Sequence, residues 1–311
     1  MIKEITLVAS LAILAGMSTF ADGLHLYADS LNYMPRMNGG GTAIKSPTKP
    51  RVDSVKPERQ HDEDLQALKV RDEAFTKDGT VYYRDLHMPW RMFAPARLEV
   101  RKKYPLVIFL HGLGEAGDDN IAQLKHKEFM VFAQRNFQNQ RPCFILAPQH
   151  PKGEHWGSLV VDEPRRGFRM LLFLIDQMSA TMPIDKTRIY LLGLSSGAAG
   201  VIDGVTLYPH TFAAGVAVSP AYGLPDLILL RAKTPSPVWI CYNEGEPADV
   251  VQHGRELPGQ FAQLGGEVRV SVARERVGHN AWQWAFFQKG LADWLFSKSI
   301  DPKLAGDDVR K

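Results

Sequence analysis

The sequence predicts an α/β domain, a doubly wound and mostly parallel sheet with helices on both faces. Three observations carry that expectation. Short, continuous apolar runs recur from Tyr104 onward, stretches of helical length alternate with them, and only the last run alternates apolar with polar residues. Strands buried on both faces lose their in/out alternation, and strand–helix alternation marks a sheet covered by helices.

Taken in order, the chain begins with Lys3 and the apolar stretch Ile5 to Leu14, followed by small residues and Thr19-Phe20-Ala21. This pattern predicts a cleaved signal peptide over 1–21 and a secreted or periplasmic protein. A membrane anchor would need roughly 20 apolar residues with charged flanks. Residues 22–65 are rich in Gly, Pro, Lys and Asp, including Gly39-Gly40-Gly41, and predict a flexible leader. The domain is expected over 66–300, with a polar tail at 301–311. Val70 to Phe75 and Val81 to Tyr83 flank Lys77-Asp78-Gly79, which predicts a hairpin closed by an Asp-Gly turn.

The buried strands are expected at Leu106 to Leu110, Phe144 to Ala147, Ile189 to Leu192, Ala213 to Val218 and Val238 to Tyr242. Val268, Val270 and Val272 alternate with Arg269 and Ser271, which predicts a half-wet strand at a sheet edge. Helices are expected at Asn120 to Asn136, Pro164 to Met182, Ser196 to Tyr208, Val251 to Leu264 and Ala281 to Lys298.

Composition narrows the function. Hydrophobic residues at 45% and charged residues at 23% suit a globular enzyme. A net charge of +3 without a long Lys/Arg block argues against nucleic acid as a partner. Cys143 and Cys241 sit inside apolar runs on strands that are not neighbours, so both are expected as buried, reduced thiols.

Gly193-Leu194-Ser195-Ser196-Gly197 matches G-x-S-x-G where a buried strand meets a helix. A turn that sharp requires small residues two positions either side of the serine, and it presents the hydroxyl at a helix N-terminus. Ser195 is therefore the candidate nucleophile; an N-cap serine after a glycine turn is the plainer alternative. A serine hydroxyl needs a base, and His279 follows the final strand, where the order Ser, acid, His places it. The acid is expected after Tyr242. Glu246 and Asp249 both qualify by type and Glu244 less well, with Glu246 preferred.

His111-Gly112-Leu113-Gly114 ends the first buried strand and predicts an oxyanion hole from the N–H groups of Leu113 and Ser196, with His111 holding the loop. Asp118-Asp119-Asn120 reads as a helix cap, and no metal or other cofactor is expected.

Together these residues resemble the α/β-hydrolase superfamily, in the branch of secreted esterases and predicted peptidases similar to polyhydroxybutyrate depolymerases and dienelactone hydrolases. The likeness runs from about Phe75 to Phe296. It rests on Lys103-Tyr104-Pro105 leading to Phe109 through Glu115, on Gly117 through Asn120, on Ala147-Pro148-Gln149, on Arg188 through Leu191, and on Gly278-His279 ahead of Trp282. The resemblance implies the same nucleophile, base and oxyanion donors. Two departures stand out: the family usually has Asp where Glu246 aligns, and a residue larger than Ser196, often Met, after the nucleophile.

The connection Ser219 to Pro237 leaves room for a short lid or none. Trp156, Tyr222 and Trp282 fall on loops at strand carboxyl ends and are candidates for substrate stacking, with core packing as the alternative for the tryptophans. The expected activity is ester hydrolysis through an acyl-enzyme on a small ester or a polymer end. A peptidase of the same mechanism and a non-catalytic binding protein on a degenerate scaffold are the rivals.

Overall fold

The computed structural model describes residues 50–55, 68, 70, 72–83, 85–157, 166–222, 234–306 and 308. The expected signal peptide, most of the expected leader and most of the connection at 223–233 lie outside the described residues.

Among the described residues nine strands form one sheet: β1 (Arg51–Val55), β2 (Lys77–Tyr83), β3 (Leu86–Phe93), β4 (Tyr104–Leu110), β5 (Phe144–Pro148), β6 (Ile184–Leu194), β7 (Ala214–Val218), β8 (Val238–Gly245) and β9 (Val268–Val277). Their order is β1-β9-β8-β7-β6-β4-β5-β3-β2. β2 and β3 pair antiparallel, as do β3 and β5; every other pairing is parallel. From β4 the chain moves outward to β5 and then crosses back to β6 on the other side of β4. This reversal of strand order opens a crevice at the strand carboxyl ends.

β4 shows why the apolar runs are continuous. Leu106, Ile108 and Leu110 pack on one face, while Val107 and Phe109 pack on the other, all without exposed surface. Period-two side chains that are buried on both faces leave no polar positions. Each contributes roughly 1.5–3 kcal/mol of burial free energy. One layer carries helices α2 (Arg166–Thr181), α3 (Ser196–Leu207) and α4 (Ala248–Gln263). The other carries the segment ending in α1 (Arg135–Gln140) together with α5 (Trp282–Ala285) and α6 (Leu291–Phe296).

Four expectations are corrected. Asp78-Gly79 lies inside β2, opposite Arg91 and Trp90, and the hairpin turns after Tyr83 instead. A Cβ on Gly79 would stand 2.6 Å from the Trp90 indole, so the glycine makes room for a cross-strand ring. β9 is not an edge: Arg51–Val55, inside the expected leader, pairs with it in parallel. The charged position that suggested a wet face, Arg269, lays its guanidinium over the Trp239 and Trp294 rings at 5.2 and 5.7 Å. The expected helix at Asn120 to Asn136 is broken into 3-10 turns at Ala122–Leu124 and Lys127–Ala133, with Phe129, Met130, Phe132 and Ala133 all buried. The helix expected over Ala281 to Lys298 is split into α5 and α6 at Gly290, whose φ is +83°.

The expected tail bonds back to the domain, with Gly306 N–H donating to the His210 carbonyl at 2.7 Å and Asp308 accepting from the His210 N–H at 2.5 Å. Cys143 and Cys241 are free and buried, and burial pushes the Cys143 thiol up to about 12 and that of Cys241 upward as well. Among the described residues, no helix is long and apolar enough to cross a membrane.

Candidate active site

β6 delivers Ser195 to the crevice in a strained turn. Ser195 has φ +54° and ψ −117°, a region that residues with side chains rarely occupy. The turn is possible because its flanks are glycine. A Cβ on Gly193 would lie 2.3 Å from the Gly197 carbonyl oxygen, and one on Gly197 would lie 2.0 Å from that of Leu110. The serine is tied to the next strand by its N–H, which donates to the Val218 carbonyl at 2.9 Å. Its own carbonyl accepts from Ala199 and Ala221.

His279 follows β9 after Gly278, whose φ of +95° turns the chain back toward β6. Its Nε2 is 2.8 Å from Ser195 Oγ, and its Nδ1 is 3.1 Å from Glu246 Oε2. The Glu246 side chain is wholly buried, while that of His279 is 31% exposed. Glu246 Oε1 accepts the Ser219 hydroxyl at 2.7 Å and the Asn243 N–H at 3.1 Å. A buried carboxyl group with three hydrogen-bond partners is not left unpaired. This arrangement can move the Ser195 proton to His279 Nε2 while Glu246 holds the other imidazole N–H and faces the imidazolium that results.

The His111 loop abuts the same turn, since Leu110 and Gly193 are register partners. Leu113 begins a 3-10 turn and Ser196 begins α3, whose first N–H groups have no intrahelical acceptor. Fully buried His111 donates from Nδ1 to the Gly112 carbonyl at 2.6 Å, while its Nε2 accepts the His150 N–H at 3.2 Å. Burial, with the His150 ring 4.5 Å away, pushes its imidazole down to about 3. It is a neutral strut and not a second base.

Solved structures share this architecture. A thermostable esterase is similar with a TM-score of 0.66 and 30% identity, over 72% of this chain and 63% of that one. The chain has the α/β-hydrolase fold. A ferulic acid esterase (TM-score 0.54, 14% identity, 70% of this chain and 96% of that one) and a Pyrococcus horikoshii acylaminoacyl peptidase (0.52, 12%, 71% and 41%) share the fold. The chain spans less than two thirds of the thermostable esterase's length. No protein-family model matches the sequence, and no curated protein sequence matches it.

The structure brings Ser195, His279 and Glu246 together, with Leu113 and Ser196 on the adjoining turns. Asp249 lies exposed in the first turn of α4, and Glu244 is exposed 3.9 Å from Arg274. Trp282 stands with its ring perpendicular to that of His279 at 5.4 Å. Tyr222 is partly exposed, one residue beyond Ala221, whose N–H reaches the Ser195 carbonyl. Trp156 is a correction: it is fully buried, edge-on to His111 and His150 at 5.2 and 4.8 Å, and packs as core instead of facing a substrate.

Sequence reasoning missed Ser219 and Asn243. Ser219 carries a positive φ of 52° after β7, and no local pattern marks it. Asn243 also donates from Nδ2 to Gly278 and Asn280 and accepts the Trp284 indole N–H, so it joins the acid's loop to the loop of His279. In the Asp118-Asp119-Asn120 run, Asp119 Oδ1 accepts the N–H groups of Ile121 and Ala122, which is the geometry of a cap.

Proposed function

We propose that this α/β-hydrolase cleaves carboxylic esters through an acyl-enzyme, with Ser195 as nucleophile, His279 as general base and Glu246 as the supporting acid. The observation that carries this reading is the continuous line of contacts from Ser195 Oγ to His279 at 2.8 Å and on to Glu246 at 3.1 Å. Ser195 Oγ attacks the ester carbonyl carbon as its proton passes to His279 Nε2, and the carbonyl oxygen, now anionic, meets the N–H groups of Leu113 and Ser196. The carbon–oxygen bond to the alcohol then breaks, and the leaving oxygen takes the proton from His279. Water repeats the sequence on the acyl-enzyme, releasing the acid and restoring Ser195.

The 30% identity to a thermostable esterase favours esters over amides. Trp282 and Tyr222, both partly exposed near the nucleophile, are the proposed substrate contacts. The apolar stretch Ile5 to Leu14 supports action outside the cytoplasm.

Short-chain nitrophenyl esters and peptide anilides assayed side by side test the reading. Ester turnover is expected, with Ser195→Ala lowering kcat on the order of 10⁴-fold or more. Efficient anilide cleavage with negligible ester turnover would favour the peptidase.

A further inference from the structure

The leaving oxygen of an ester must come within hydrogen-bond reach of His279 Nε2 to receive its proton. The departing alcohol therefore passes the His279 ring, and whatever borders that ring decides which alcohols fit. Trp282 borders it at 5.4 Å, and the His126 ring stands against Trp282 at 5.0 Å, inclined by 65°. Both side chains reach solvent in part; that of His126 is 21% exposed.

His126 is held from behind. Its Nε2 lies 3.3 Å from Glu115 Oε1, and Lys125 Nζ lies 3.4 Å from the same oxygen. The Glu115 side chain is only 5% exposed. It sits in the turn that begins with Leu113, its N–H donates to the Gly112 carbonyl, and its carbonyl accepts from Gln149 at 3.0 Å. Oε2 would be 3.0 Å from a Cβ on Gly112. Burial pushes the carboxyl up, but His126 and Lys125 outweigh it and hold the group below its usual range. A buried carboxylate with a ring nitrogen and a lysine ammonium on one oxygen is a fixed anchor for the ring it holds.

We propose that Trp282 and His126 form the subsite for the departing alcohol, selecting alcohols with a flat, carbon-rich face, and that Glu115 is the positioning residue that holds His126 there. The inference rests on the proposed serine-hydrolase reading. Such a face belongs to an aryl ring or to one side of a pyranose, and both stack on aromatic side chains.

The test compares kcat/KM for three acetates of primary alcohols: benzyl, neopentyl and the 6-O-acetyl ester of methyl glucoside. The benzyl or the glucoside ester is expected to exceed the branched, ringless neopentyl ester roughly five- to tenfold, and the larger value identifies the source. Trp282→Ala and Glu115→Ala should erase that ratio, while Glu115→Gln, which keeps an acceptor for His126, should retain it. A matched acyl pair, ethyl acetate against ethyl phenylacetate, should keep its ratio in every variant. If neither flat alcohol is preferred, or if the ratio survives Trp282→Ala, the subsite is overturned. Labelling of Ser195 by a fluorophosphonate separates the two readings. A labelled, active wild type without the alcohol preference overturns the subsite alone, whereas an unlabelled, inactive one overturns the hydrolase reading and the subsite with it.

Discussion

At the scale of single residues, the site turns on a carboxylate one methylene longer than the aspartate usual in the resembling family. β8 departs from regular register between Asn243 and Gly245, and the chain folds so that the Glu246 N–H faces the Asn243 carbonyl at 3.4 Å. Glu246→Gln, which leaves one oxygen acceptor but no charge, is expected to lower kcat on the order of 10²- to 10⁴-fold, with Asp249→Asn near wild type. Steady-state kinetics on one ester reads both. Loss in the Asp249 variant alone would transfer the proposed role. Ser195 and His279 were legible because glycine spacing and chain order are local signals. The acid was legible only as a preference for Glu246, since three carboxylates fall within Glu244 to Asp249 and the tertiary donors of Ser219 and Asn243 are what distinguish them.

The buried imidazoles carry a second residue-scale expectation. Burial lowers His111 to about 3 and His150 to about 4, against roughly 6.5 in an unfolded chain. Below pH 6.5 the unfolded chain therefore binds two protons that the native state refuses, and stability falls as the pH falls. The slope is about 1.4 kcal/mol per pH unit for each ring. Glu128, whose carboxyl burial raises, opposes this with a single proton. Urea denaturation between pH 7 and 4.5 should show a steadily decreasing midpoint; a flat profile would contradict buried, neutral rings.

At the scale of elements, the turn from β6 to α3 is the feature the rest of the site depends on. Gly197→Ala and Gly193→Ala should each cost about 3 kcal/mol or more, because the added carbon meets backbone that cannot move aside. Gly114→Ala, with nothing within 4 Å of the new carbon, should leave thermal stability nearly unchanged. Thermal melts of the three variants check the contrast. The central strands were legible from apolar runs alone, since burial on both faces writes itself into composition. The segment from Asn120 to Asn136 was not, because its buried residues respond to partners such as Phe109, stacked on Phe129 at 3.9 Å, more than to helical period. Trp156 misled for the same reason: its loop position suggested a pocket, and only the tertiary packing shows a core residue.

At the scale of the molecule, the sheet gains its ninth strand from a segment that composition marks as leader. β1 pairs residues 51–55 with 269–273, a separation along the chain that leaves no local trace. Its role as a cover predicts an asymmetry. Successive N–H groups of a strand point to opposite sides, so proline at either 53 or 54 removes a bond to β9 and at the other does not. One variant should lose about 1–3 kcal/mol and the other little. Equal behaviour on urea denaturation would contradict the pairing.

The central claim is that Ser195, His279 and Glu246 act as one acyl-transfer unit, and intact-mass analysis after exposure to a fluorophosphonate tests it most directly. The account predicts a single adduct on the folded wild type, mapped to Ser195, absent from Ser195→Ala and formed far more slowly in His279→Ala. A folded wild type that remains unlabelled, or an adduct that persists in Ser195→Ala, would contradict it.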